Sequence, residues 1–257
     1  MATEIENRLY EINQAAAEFY HSYLMSEQGE TALAYLTNRN VSFETIKTFG
    51  IGAAPYECDG LMRHLKEKGY SVNEMAEVGL IRQTQDNQFS DRFRARIMFP
   101  VTDAEGRTIA FCGRTLLRDS SIPKYLDVTE INDKGGSLFG LSIVKKYGAE
   151  QIVLVEGAFD VVALYQAGIQ NAVAVRGRIL TARQAALLTK YTKKVVICYD
   201  SDMPGKRLTE RAITTLRNSN VPAAVITLED AMDPYDYVTK YGGKELRERI
   251  DAAENIQ

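Results

Sequence analysis

From Ile5 to Leu24 the apolar residues Leu9, Ile12, Ala16, Phe19, Tyr20, Tyr23 and Leu24 fall at helical spacing, with polar residues between them facing the other way. The pattern predicts a helix with one buried stripe. Further helices are predicted over Glu30 to Asn38, after Ser42, over Asp59 to Lys68 and over Val72 to Val78. Ser42 suits the free N–H groups of a helix start, and Gly69 is placed to end the third of these. Between Phe93 and Leu117 the period changes. RIMFPVTD and EGRTIAFCGRTL are two apolar runs joined at Asp103–Gly106, which reads as a hairpin. Lys124–Tyr125–Leu126 lies in a looser segment that ends near Gly135–Gly136.

Past Gly148 strands and helices alternate. QIVLVEG, NAVAVRG, KVVICYD and VPAAVITL read as strands, separated by the helical segments AFDVVALYQAG, TARQAALLTKY and GKRLTERAITTLRNS. Alternation of this kind means a parallel sheet covered on both faces. The fold class is therefore α/β. An N-terminal mixed α+β subdomain over 1–148 precedes a Rossmann-like parallel-sheet domain over 149–245 and a tail over 246–257.

Composition narrows the function classes. The 257 residues carry 31 Lys and Arg against 34 Asp and Glu, so a chain basic throughout is excluded, although a local basic face is not. Such a face is present: residues 92–146 hold ten Lys and Arg against six Asp and Glu. Cys58, Cys112 and Cys198 are scattered, and His21 and His64 are the only histidines, so no zinc site is expected. Free thiols suit a reducing cytoplasm. No apolar run reaches the roughly 20 residues that span a bilayer, so no membrane partner is expected.

The candidate chemistry lies in acids that follow strands, where ligands gather in a parallel sheet. Glu156 ends the first strand, with Asp160 one helical turn later; Asp200 and Asp202 follow the third; Asp233 and Asp236 follow the fourth. Any one of them has a plain alternative role, and Asp200 or Asp233 reads equally well as a helix cap. VEGxxD, YDSDxPG and DPxD after successive strands are hard to obtain by chance, and clustered carboxylates suit Mg²⁺ or Mn²⁺.

LVEGAFDVVAL, VVICYDSDMPGKR and DAMDPYDYVTKYG together resemble the Toprim fold shared by primases, topoisomerases and some nucleases. SDRFRARIMFPVTDAEGRTIAFCGRTL, IPKYLD and YLTNRNVSFETIKTFGIGAAP resemble one branch of it, the RNA-polymerase core of bacterial DnaG-type primases. The resemblance runs from about Leu9 to Lys244. It implies template-directed synthesis of short RNA primers on single-stranded DNA by metal-dependent nucleotidyl transfer. Glu156, Asp200 and Asp202 would be catalytic and metal-binding, with Asp160, Asp233 and Asp236 beside them. Arg92, Arg94, Arg96, Arg114, Lys124, Tyr125 and Lys134 would bind nucleic acid or nucleotide, and the first three share one face if their run is extended. The implied partners are the template, NTPs, the RNA–DNA hybrid product and a replicative helicase, in the cytoplasm at the nucleoid and replication fork.

Some positions depart from the pattern. Arg176–Gly177–Arg178 stands where the family has a small Gly-Thr pair, Tyr235 replaces an acid of DPD, and Asp127 replaces an Asn. Motifs of the family's zinc-binding and helicase-binding domains do not occur in these residues, which leaves open an excised core or a small stand-alone relative. Two other functions use the same residues. One is a Toprim nuclease, which the basic RFRAR hairpin argues against; the other is a degenerate primase-like protein that binds nucleic acid without catalysis.

Overall fold

The computed structural model describes residues 4–128, 136–148, 150–175, 177, 179–229 and 232–255. It divides into two compact units, Met1–Val101 with Gly106–Lys134, and Thr102–Glu105 with Gly135–Gln257.

In the first unit α1 (Glu4–Leu24) buries the predicted stripe of Leu9, Ile12, Ala16, Tyr20 and Leu24. Then come α2 (Glu30–Thr37) and α3 (Phe43–Phe49). Ser42 caps α3 by accepting the Thr45 N–H at 3.2 Å, and Gly50 closes it at φ +61°. β1 (Gly52–Ala54) lies against α1 so closely that a Cβ on Gly52 would meet the backbone of Tyr20 at 2.5 Å. α4 (Gly60–Glu67) and α5 (Val72–Glu77) follow as predicted, the second opened by a reciprocal Ser71–Glu74 cap. A small hairpin of β2 (Ile81–Gln83) and β3 (Phe89–Asp91) precedes the predicted one, β4 (Arg96–Thr102) and β5 (Thr108–Thr115). Lys124–Tyr125–Leu126 is more regular than expected, because β6 (Tyr125–Asp127) pairs antiparallel with β5. The main sheet runs β1-β4-β5-β6.

One expectation fails here. Residues 92–95 lie outside any strand: Ala95 is left-handed at φ +46°, and strand pairing begins only at Arg96. Arg92, Arg94 and Arg96 therefore do not alternate along one strand, and their burial differs accordingly. Arg92 is half-buried, Arg94 exposed and Arg96 buried.

The second unit takes in the tip of the β4–β5 hairpin, where Thr102 and Ser142 hydroxyls lie 2.7 Å apart and Lys145 meets Glu105 at 3.2 Å. It also begins with a helix, α6 (Leu141–Tyr147). β7 (Gln151–Val155), α7 (Ala158–Gln166), β8 (Ala172–Ala174), α8 (Ala182–Leu188), β9 (Lys194–Ile197), α9 (Met203–Asn218) and β10 (Ala223–Val225) follow in the predicted alternation. α10 (Pro234–Tyr241) and α11 (Gly243–Ala252) close the chain. The segment read as a tail is part of the fold, because Leu246 and Ile250, one turn apart on α11, are both buried.

All pairings in the sheet β10-β9-β7-β8 are parallel. Side chains alternate across it as the pleat requires. Ile152, Leu154, Val195 and Ile197 join one core with residues of α6, α8 and α9, while α7, α10 and α11 pack together elsewhere. The chain runs from β7 outward to β8, then returns to the other side of β7 to form β9 and β10. The order therefore reverses between β7 and β9, which opens a crevice at their carboxyl ends.

Candidate functional site

Glu156 leaves the end of β7 and Asp200 leaves the end of β9, on either side of that crevice. They meet there: the Asp200 backbone N–H donates to Glu156 Oε1 at 3.1 Å. Burial pushes the Glu156 carboxyl up to about 7, and the negative charges of Asp200, Asp202 and Asp233 add to the effect against the relief given by the Asp200 amide. Asp160, at the first turn of α7, is pushed well up by its own burial and then by Asp233, Asp200 and Glu156. Four of the proposed acids thus share one field with Glu156 at its centre.

Each also has local work. Asp160 Oδ2 accepts the Gly157 N–H at 2.9 Å, closing the loop that follows Glu156. Asp202 caps α9 by accepting the Gly205 N–H at 2.7 Å, and Asp233 caps α10 by accepting the Asp236 N–H at 2.7 Å. The capping role that the sequence offered to Asp200 therefore falls to Asp202, while Asp233 does cap. Asp236 is exposed, and it is not among the leading charges that lift Glu156 or Asp160. Among the described residues no three His, Cys, Asp or Glu side chains converge closely enough to hold a metal ion as they stand.

Gly205 explains the spacing in YDSDxPG. A Cβ there would lie 2.1 Å from the Asp200 carbonyl oxygen, so the start of α9 packs directly on the acid loop. Ser201, between the two acids, donates its N–H to the Met232 carbonyl at 3.2 Å, which joins this loop to the one before Asp233.

The basic residues of the first unit divide into two kinds. Arg96 is 5% exposed and donates Nη1 to the carbonyls of Gly113 at 2.9 Å and Pro123 at 3.1 Å. It holds β4 to β5 and to the approach of β6, which corrects its expected place on an open binding face. Arg94 is exposed, bonds the Tyr56 carbonyl at 3.0 Å and lies 5.6 Å from the Tyr56 ring centroid. Arg114 donates to the Tyr125 hydroxyl at 3.0 Å and lies 5.4 Å from that ring and 5.8 Å from the ring of Tyr35. Burial works against its charge, but the two tyrosines outweigh that and raise its pKa. Lys124 is exposed, with Nζ 5.9 Å from the Tyr125 ring. Lys134, Arg176 and Arg178 lie outside the described residues, and Asp127 pairs with Cys112 in the β5–β6 ladder. Tyr35 and Tyr56 are not among the residues the sequence singles out; the signal for them is their place in YLTNR and just after GAAP, inside the primase-like segment.

Residues 19–145 match the family described as DNA primase catalytic core, N-terminal domain, and residues 153–238 match the Toprim-like family. The chain is 38% identical to the DNA primase of Clostridium acetobutylicum over 253 residues, covering 97% of this chain and 42% of the relative. It is also similar to a solved DnaG primase catalytic domain bound to ssDNA, with 33% identity and a TM-score of 0.87, over 98% of this chain and 83% of that one. The chain belongs to the DnaG-type primase family. A second DnaG-type structure, the zinc-binding and RNA polymerase domains of Aquifex aeolicus primase, matches with 30% identity and a TM-score of 0.89, over 99% of this chain and 63% of that one. The chain spans about two fifths of the length of the curated primases it matches. The DnaG-type resemblance and the fold class read from the sequence are both borne out.

Proposed function

We propose that the chain is the catalytic core of a DNA primase, which makes short RNA primers on single-stranded DNA. A primer 3′-hydroxyl, or that of the first NTP, attacks the α-phosphate of an incoming NTP, and pyrophosphate leaves. The meeting of Glu156 and Asp200 at the reversal of strand order carries this reading, within a chain of the DnaG-type family.

The residues fit a hard divalent cation. Their donors are all carboxylate oxygens, and burial first, then their mutual negative charge, lifts Glu156 and Asp160. Mg²⁺ binds through one or two carboxylates with waters and substrate phosphates, so three ligands already converged are not required. Glu156, Asp200 and Asp202 would hold Mg²⁺ or Mn²⁺, with Asp160, Asp233 and Asp236 around them. When bound, the metal lowers the pKa of the attacking hydroxyl and neutralises charge on the leaving pyrophosphate. The chain itself sets the frame. Glu156 fixes the Asp200 backbone, Asp202 anchors the loop to α9, and Asp160 holds the turn after Glu156.

The template and hybrid are assigned to the 1–148 side, through Arg92, Arg94, Arg114, Lys124, Tyr125 and Lys134, with Arg96 supporting the strands beneath. A related DnaG domain binds ssDNA. The metal and NTPs are assigned to 149–245, with 246–257 as its support. A replicative helicase would be reached through parts of longer relatives, in the cytoplasm at the replication fork.

The test is incubation with single-stranded DNA, labelled NTPs and Mg²⁺ or Mn²⁺. Short RNA products that disappear in Asp200→Asn support the proposal. Cleaved DNA without NTP incorporation would establish the nuclease reading instead, and salt-sensitive DNA binding with neither product would leave a binding protein.

A further inference from the structure

Arg249, on α11, reaches back across the connection between β10 and α10. Its Nη1 donates to Glu229 Oε2 at 2.6 Å and to the Tyr237 hydroxyl at 3.0 Å, and its Nη2 donates to the Thr227 carbonyl at 3.3 Å. The Tyr237 ring is fully buried, lies 5.5 Å from the guanidinium, and donates its hydroxyl to Glu245 Oε1 at 2.9 Å. Thr227 and Glu229 precede Asp233 in the chain, and Tyr237 stands one helical turn after it. One guanidinium therefore ties down both ends of the segment that carries Asp233.

The segment is also joined to the other acids. The Met232 carbonyl, next to Asp233, accepts the N–H of Ser201, which lies between Asp200 and Asp202. The line of contacts runs from Arg249 through this connection to the loop that follows β9. A planar guanidinium presents several donors in fixed directions and serves three acceptors at once, which a lysine ammonium on a flexible stem does not reproduce.

We infer that Arg249 is a positioning residue for the acid cluster: α11 holds Asp233 and, through Met232 and Ser201, the Asp200–Asp202 loop in register with Glu156. This rests on the reading of those acids as a divalent-metal centre. It gives α11 a part in the chemistry although no residue of it belongs to the site.

The test uses the full chain and two readouts. Mn²⁺ affinity, followed by electron paramagnetic resonance, is expected to fall about tenfold in Arg249→Met, the size typical when a residue behind a metal ligand is lost. Arg249→Lys should fall nearly as far. In an Asp233→Asn background Arg249→Met should still lower the affinity, through the Met232–Ser201 contact to the Asp200–Asp202 loop, but by less than in the wild type. Without metal, amide exchange at Ser201, Asp236 and Tyr237 should quicken about tenfold in Arg249→Met, while α8 amides exchange as in the wild type. Unchanged Mn²⁺ affinity and unchanged exchange in a folded variant would overturn the inference, as would full additivity with Asp233→Asn. If the wild type binds no Mn²⁺, the metal reading falls, and the exchange rates alone decide whether Arg249 holds the loop. Should Arg249→Met not fold, Tyr237→Phe removes one hydroxyl from the same bracket and allows the same comparison.

Discussion

Asp91 is 1% exposed, yet it supplies what the start of α4 lacks. The preceding residue, Asp59, makes no side-chain cap, and Asp91 instead accepts the N–H groups of Leu61 at 2.8 Å and Met62 at 3.0 Å from across the unit. Burial still dominates those two bonds and pushes its carboxyl up to about 6. The folded chain therefore keeps a proton on Asp91 over a range where the unfolded chain has lost it. Its contribution to stability falls as pH rises from about 4 to about 6 and is flat beyond, by about 3 kcal/mol. Unfolding curves of the wild type and Asp91→Asn, compared over that window, should show the loss in the wild type alone. Gly205 carries a steric prediction instead. Gly205→Ala places a methyl against the Asp200 carbonyl, so it should cost about 1–3 kcal/mol in thermal unfolding and weaken Mn²⁺ binding as the acid loop shifts. Unaltered Mn²⁺ affinity in this variant would show that the loop's position is immaterial.

Among the elements, Arg94 just before β4 and Arg96 at its start make a contrast that one titration resolves. Arg94 is exposed beside Tyr56, so Arg94→Ala should weaken binding of single-stranded DNA and lower the slope of log affinity against log salt by about 0.7. Arg96→Met should leave that slope unchanged and destabilise the chain by about 1–3 kcal/mol, because the Gly113 and Pro123 carbonyls lose their buried donor. Fluorescence anisotropy over a salt series, with unfolding of the same proteins, separates the two outcomes. The same stretch marks where the sequence stopped being legible. α1 and the β7-to-β10 alternation were plain because long periodic runs and fully apolar strands carry strong patterns. β1, β2, β3 and β6 have three residues each, too few for alternation to register. The left-handed Ala95 breaks a run whose charges alternate perfectly on paper. The acids after the strands could be read one by one, and their order along the chain was informative. That β9 returns beside β7, and so brings Asp200 to Glu156, is tertiary information that no local pattern holds.

For the whole molecule, a net charge of -3 conceals an acid cluster at one sheet edge in the second unit and a basic, tyrosine-flanked set in the first. Hydrophobic burial alone would not gather carboxylates at one place, since each raises the energy of the others. Their clustering where the strand order reverses is the ground on which the proposed nucleotidyl transfer is assigned to this place. Titration of the full chain with Mn²⁺ at pH 8, above the raised Glu156 pKa, tests that claim most directly. The wild type should bind Mn²⁺, and Glu156→Gln and Asp200→Asn should each lose at least about tenfold in affinity and lose primer synthesis with it. Both variants binding Mn²⁺ as the wild type does, or making primers at its rate, would contradict the account.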